Sequence, residues 1–252
     1  MDSSLSKADS PTQNRILAAL STEVQHHLFP MLEPCTLLSG RLLLEPREGL
    51  RYVFFPTDCM VALFYVMENG ASTEFSVVGN EGLVGIAQFT GGDSTPSQAI
   101  VVSSGTAFRL PVQSFKNEFK HYGDLLAVIL RYTQSLMTQI AQTAVCNRHH
   151  SVEQQLCRWL LLSLDRVSGE ELEMTQEMIG TMLGVRREAI TEAACKLQKL
   201  GVISYRRGHI KVMNRRLLES LSCECYKVVK TESDRLLARP FVQERQLRQI
   251  SL

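Results

Sequence analysis

The stretch "MTQEMIGTMLGVRREAITEAACKLQKLGVISYRRGHIKV", Met174 to Val212, decides how the chain is read. Thr175 is a good N-cap for a short helix running to about Leu183, and Gly184 allows a sharp turn. A second helix then spans about Arg186 to Leu200. A helix-turn-helix needs a small residue where its helices touch and apolar residues where they face the core. Gly180 lies four residues before Gly184, and Ile179, Leu183, Val185, Ile190 and Ala193 fall at the apolar positions. On the second helix Ile190, Ala193, Ala194 and Leu197 form the buried stripe. Glu188, Glu192 and Lys199 lie opposite, with Arg187 on the flank near the N-terminus.

Such a helix offers base-reading chemistry. An arginine can bond bidentately to guanine, and a carboxylate can accept from the cytosine amino group. Phosphate would repel Glu188, so its place beside Arg187 suits base edges; the plainer role of a first-turn acid is to complement the helix dipole. Two short strands follow, Val202 to Tyr205 and Ile210 to Val212, around Arg206-Arg207-Gly208-His209. A basic hairpin directly after the second helix makes a wing that can touch phosphates. The expected DNA-binding set is Thr175, Gln176, Arg186, Arg187, Glu188, Thr191, Glu192, Arg206, Arg207 and His209.

Charge supports this reading. The 252-residue chain has a formal net charge of +1, but residues 1–122 hold eight Lys/Arg against twelve Asp/Glu, a net −4. Residues 174–220 hold nine against four, a net +5. A basic segment joined to an acidic half points to an anionic partner, nucleic acid above all. The polar start MDSSLSKADSPTQN lacks a signal-peptide core, and no apolar run approaches the ~18 residues of a membrane span. Seven irregularly spaced cysteines do not form a secreted disulfide framework. A cytoplasmic protein with reduced thiols and no membrane partner is expected. No phosphate loop, nucleophile elbow or HExxH motif occurs, so no enzymatic activity is expected.

Upstream, Ile16, Leu17, Leu20, Val24 and Leu28 predict one amphipathic helix ending by Pro30. From Pro34 to Val112 short apolar runs (52–55, 60–66, 75–78 and 99–102) are broken by Gly, Pro and Asn. Asn69-Gly70 marks a hairpin between two of them. This predicts an antiparallel sandwich, jelly roll or barrel. Leu126, Ile129, Thr133, Leu136, Ile140 and Thr143 then alternate spacings of three and four, the seam of a two-helix coiled coil. The plain alternative is a helix buried against the β domain. Ser151-Val152-Glu153-Gln154 has the form of a capping box that opens the next helix.

In this order of elements the chain resembles the Crp/Fnr family of bacterial transcription regulators, across residues 12–240. The segments "VGNEGLVG", "CNRHHSVEQQLCRWLL", "MLGVRREAITEA", "YRRGHI" and "CECYKVV" carry the resemblance. It implies an α+β chain: an N-terminal antiparallel β-roll sensor with a leading helix (12–122), a dimerisation helix (123–146), a winged helix-turn-helix (147–220) and a C-terminal tail (221–252). It also implies a homodimer on a partly palindromic site of double-stranded DNA, contact with RNA polymerase, and base reading by Arg187 and Glu188. Arg186 stands where many relatives carry a small hydroxyl residue.

The sensor half departs from relatives that bind cyclic nucleotide. These carry a Gly-Glu pair and, after a short turn, an arginine that neutralises the phosphate. Here Asn80-Glu81-Gly82 is followed, after Gly91-Gly92-Asp93, by Pro96-Ser97-Gln98-Ala99, with no arginine. A buried phosphate without its cation is costly, which argues against cyclic AMP. Glu81, Gly82, Ser97 and Gln98 remain the candidate contacts for an unidentified small-molecule or redox effector. Only Cys35 and Cys59 lie in the β half, which argues against an iron–sulfur cluster. Cys146, His149 and His150 could share a helix face for a metal, with Cys157 as a fourth ligand; the plainer reading is a polar hinge. Cys223 and Cys225 read as a reduced, half-buried pair, with redox sensing as the alternative. No metal or cofactor is therefore assigned. The rival to a DNA-binding regulator is a ligand- or metal-binding sensor whose helical domain contacts protein.

Overall fold

The computed structural model describes residues 10–237, apart from 93 and 122. Where one N-terminal helix is predicted, two form: α1 (Arg15–Ala18) and α2 (Thr22–Leu28). The apolar phase continues across both, but each has its own cap. Asn14 Oδ1 accepts from the Ile16 and Leu17 amides, and Ser21 Oγ accepts from Val24 N.

The β domain has two antiparallel sheets. Strands β1 (Glu33–Leu37), β3 (Tyr52–Pro56) and β7 (Gly105–Pro111) form one, in the order β1-β7-β3. The other has the order β2-β6-β4-β5, from β2 (Leu42–Leu44), β4 (Met60–Val66), β5 (Ser72–Val78) and β6 (Ser97–Ser103). The β4–β5 turn uses the expected pair: Gly70 has φ 82°, and Asn69 Oδ1 accepts from Ala71 N. Leu37, Phe54, Val61, Val78, Ala99 and Val101 are among the residues packed together in this domain.

Helix α3 (Val112–His121) leads to α4 (Gly123–His149), a 27-residue helix. Leu125, Val128, Ile129, Tyr132 and Leu136 are buried in a cluster with α1, α2 and β3. After the Ser151–Gln154 capping box, α5 (Val152–Leu164) is buried from Gln155 to Leu164. There follow β8 (Glu171–Glu173), α6 (Gln176–Leu183), α7 (Arg187–Lys199), β9 (Ile203–Arg206), β10 (His209–Val212) and α8 (Arg215–Leu221). The stretch read as a tail is helical in its described part: α9 (Cys225–Leu237) packs along α4. The rest of that tail, 238–252, lies outside the described residues.

The two halves share a core. Met60, Ala62, Phe64, Val77 and Val102 of the second sheet join Leu156, Leu160, Ile179, Ile190 and Leu197 in one apolar cluster. No helix among the described residues is long and apolar enough to cross a membrane.

Candidate nucleic-acid interface

Local chemistry builds the helix-turn-helix as its sequence demands. Thr175 Oγ1 accepts from Met178 N, opening α6, and Gly184 closes it in the left-handed region at φ 65°. A Cβ on Gly180 would lie 3.0 Å from the Val185 carbonyl oxygen, so a small residue is required where the turn crosses. Arg186 occupies the N-cap of α7, and Ile190, Ala193, Ala194 and Leu197 are its buried stripe. Arg186, Arg187, Glu188 and Glu192 are exposed.

The wing is a three-stranded sheet ordered β8-β10-β9. Arg206 pairs with His209, so Arg207 and Gly208 form a two-residue turn with φ 49° and 85°. Positive φ at both central positions is the type I′ signature, whose twist matches the flanking strands. The turn presents both arginines to solvent.

Thr175, Gln176, Arg187 and Arg207 converge around an open cleft of about 440 Å³, together with Tyr205 and Glu177. Thr191 Oγ1 donates to Gln176 Oε1 at 2.7 Å, tying the second helix to the start of the first. Two predicted residues are otherwise engaged. Glu192 pairs with Lys196 at 3.2 Å, and His209 Nδ1 lies 3.1 Å from Glu171 across the wing sheet. Sequence reasoning passed over Tyr205, whose hydroxyl donates to the Met174 carbonyl at 2.8 Å and whose amide donates to Gln198. Its position on an alternating strand beside the basic turn was the available signal.

The sensor candidates are dispersed into internal contacts. Glu81 is buried and accepts from Arg166 Nε at 2.8 Å; the same guanidinium donates to the Leu162 carbonyl and to Gln139. Gly82 has no room for a Cβ, which would meet the Tyr132 hydroxyl at 2.7 Å. Ser97 is buried with its hydroxyl 2.9 Å from that of Thr95, and Gln98 pairs with Phe64 inside the sheet. Asp93 lies outside the described residues.

On α4, the six-residue seam read from sequence does not share one surface. Ile129 and Leu136 are buried within the chain, Thr133, Ile140 and Thr143 are half-buried, and Leu126 is 39% exposed. The apolar residues left in solvent lie one position further round: Leu130, Met137 and Val145 beside Leu126. The alternation of three and four fitted the intramolecular face, because a β domain and a partner helix ask for the same periodicity.

The cysteine and histidine candidates also regroup. Cys146 and His150 lie together with Cys223 and Cys225, whereas His149 is exposed and Cys157 belongs to the shared apolar core.

Residues 154–221 match the model of the Crp-like helix-turn-helix domain. The chain also has the fold of solved transcription regulators. A Crp/Fnr family regulator from Eubacterium rectale aligns with a TM-score of 0.61 at 15% identity, over 84% of this chain and 97% of that one. One from Thermus thermophilus gives 0.61 at 18% identity, over 75% and 98%. The c-di-GMP-responsive global regulator of Xanthomonas campestris gives 0.60 at 12% identity, over 76% and 99%. A comparison with curated proteins finds no match.

Proposed function

We propose, from a Crp-like helix-turn-helix domain set on the fold of Crp/Fnr transcription regulators, that the chain is a cytoplasmic, sequence-specific DNA-binding regulator acting as a homodimer. The observation that carries this reading is the convergence of Gln176, Arg187 and Arg207 on one open face, next to the exposed start of α7. The first turns of such a helix enter the major groove. Arg187 and Glu188 then read base edges, with Arg186 beside them, while Arg206 and Arg207 meet phosphates at the flank. Thr175 and Gln176 at the start of α6 orient the helix against the backbone.

Two copies joined along α4 present two such faces to a partly palindromic site. The exposed stripe Leu126, Leu130, Met137 and Val145 supports the pairing. RNA polymerase is the further partner that a regulator of this kind engages. The β-roll receives the signal, and its chemistry argues against cyclic AMP: among the candidate contacts no cation faces the phosphate, and Glu81 is already bonded to Arg166. The c-di-GMP response of the Xanthomonas protein belongs to a chain 12% identical and is not carried over.

Selection of bound sequences from a random DNA pool tests the reading. A two-fold motif that loses one defined base preference per half-site in Arg187→Ala supports it. Absence of any enriched motif would favour the protein-contacting alternative. Calorimetry with millimolar cyclic AMP should show no binding; micromolar binding abolished by Glu81→Gln would overturn the sensor argument.

A further inference from the structure

Four soft or borderline donor groups meet where α4 ends and α9 begins. Cys146 lies in the last turn of α4 and His150 directly follows that helix, while Cys223 stands two residues before Cys225, the first residue of α9. Their ligand atoms all lie within 4.8 Å of one another. Cys146 Sγ is 3.6 Å from Cys223 Sγ, and Cys225 Sγ is 3.4 Å from His150 Nδ1. A tetrahedral zinc ion with Zn–S near ~2.3 Å and Zn–N near ~2.0 Å requires S···S edges of roughly 3.8 Å and S···N edges of roughly 3.5 Å. The Cys146–Cys223 and Cys225–His150 edges are already close to those lengths, and the remaining ones do not exceed 4.8 Å.

We propose that Cys146, His150, Cys223 and Cys225 form a mononuclear Cys3His site for Zn(II). The donor set differs from the one helical spacing suggested: His149 and Cys157 drop out, and two cysteines from 77 residues further on replace them.

Three observations around the cluster support it. Cys146, Cys223 and Cys225 are buried and form a small apolar cluster of their own. His150 offers Nδ1 to the cluster while its Nε2 lies 3.3 Å from the Glu224 carboxylate, the outer partner that orients and strengthens a metal-bound imidazole. Gln142 Nε2 donates to Cys225 Sγ at 3.1 Å, an outer hydrogen bond that orients this sulfur.

The ligand count selects the kind of site. Four protein donors leave no open position, which is the pattern of a structural zinc site, not a hydrolytic one. Donors this close enclose a single ion, whereas an iron–sulfur cluster places its own sulfides between wider-set ligands. The ion would fasten the end of α4 to the start of α9, so both ends of the intervening winged helix-turn-helix are held at one point. The inference does not depend on DNA binding.

The full-length chain, purified under reducing conditions from zinc-supplemented cells, should carry about one zinc per chain by mass-spectrometric metal analysis. Anaerobic Co(II) titration of the metal-free wild type should give the intense visible bands and sulfur-to-cobalt charge transfer of a tetrahedral thiolate site, and needs no variant to fold. Cys146→Ser, His150→Ala, Cys223→Ser and Cys225→Ser should each lose zinc at least tenfold more readily to a competing chelator. Cys157→Ser and Cys195→Ser should retain it. Glu224→Gln should weaken binding about tenfold. Three results would overturn the site: no retained zinc with an octahedral Co(II) spectrum, equal loss in Cys195→Ser, or a Cys146–Cys223 disulfide mapped in protein kept from oxidants.

Discussion

Arg207 stands at φ 49° in the wing turn, where its β-carbon is crowded, and Asn-Gly is the pair such a turn prefers. Conformation and charge therefore pull in opposite directions at this position. Arg207→Asn should raise stability by a few tenths to ~1 kcal/mol in denaturant titration. It should also weaken DNA binding about equally for all sequences and reduce the log–log salt slope by about one. Arg187→Ala should behave differently, costing about 1–3 kcal/mol on the preferred site and relaxing one base position. Unchanged sequence preference in that variant would remove α7 from the reading role. Glu74 is a third single-residue case. Its carboxyl is buried on β5, and burial pushes its pKa up to about 8 against the pull of Arg158. A raised folded-state value means the stabilising contribution is complete below the unfolded pKa, near ~4.5, and is lost as pH rises through about 8. Glu74→Gln cannot ionise, so thermal melts should show it matching wild type near pH 5 and exceeding it, by a few kcal/mol, above pH 9.

At the scale of elements, α4 separates two kinds of apolar residue that one periodicity had merged. Leu130 and Met137 are each 59% exposed, while Leu136 is 9% exposed. Glutamate at both Leu130 and Met137 should yield folded monomers in sedimentation velocity, with operator affinity largely lost. Leu136→Glu should instead cost several kcal/mol of stability, because it places an unpaired charge in the core. A dimer that survives the double substitution would place the pairing surface elsewhere. These elements also show what the sequence made legible. The bounds of α6, the capping box of α5, the extent of β4 and the wing hairpin were readable because each rests on contacts within a few residues. Strand β8, with Glu171 and Glu173 flanking Leu172, was not, since it gains strand structure only by pairing with β10. The break between α1 and α2 was hidden because both helices bury the same face.

At the scale of the molecule, the most deeply buried ion pair among the described residues is Arg166–Glu81, with side chains 6% and 10% exposed. Glu81 became a sensor candidate through the resemblance, as the counterpart of the glutamate in the relatives' Gly-Glu pair; its partner lies 85 residues away and no local pattern announces it. Arg166→Met should cost about 3–5 kcal/mol, because the carboxylate stays buried without compensation. Adding Glu81→Gln to that background should restore much of the loss, and a double-mutant cycle measures the coupling. The Cys146–Cys223 grouping was illegible for the same reason: its halves are 77 residues apart and flank the winged helix-turn-helix.

Met60, Phe64, Val77 and Val102 on the second sheet are closed over by the helices of the winged helix-turn-helix. Swinging the helix-turn-helix away would wet this surface, and each large apolar side chain left in water costs roughly 1.5–3 kcal/mol. The chain is thus a single lever with its fulcrum inside the core, not two beads on a string. A stimulus that displaces the helix-turn-helix must favour the displaced pose by a comparable free energy, or supply another covering for the sheet.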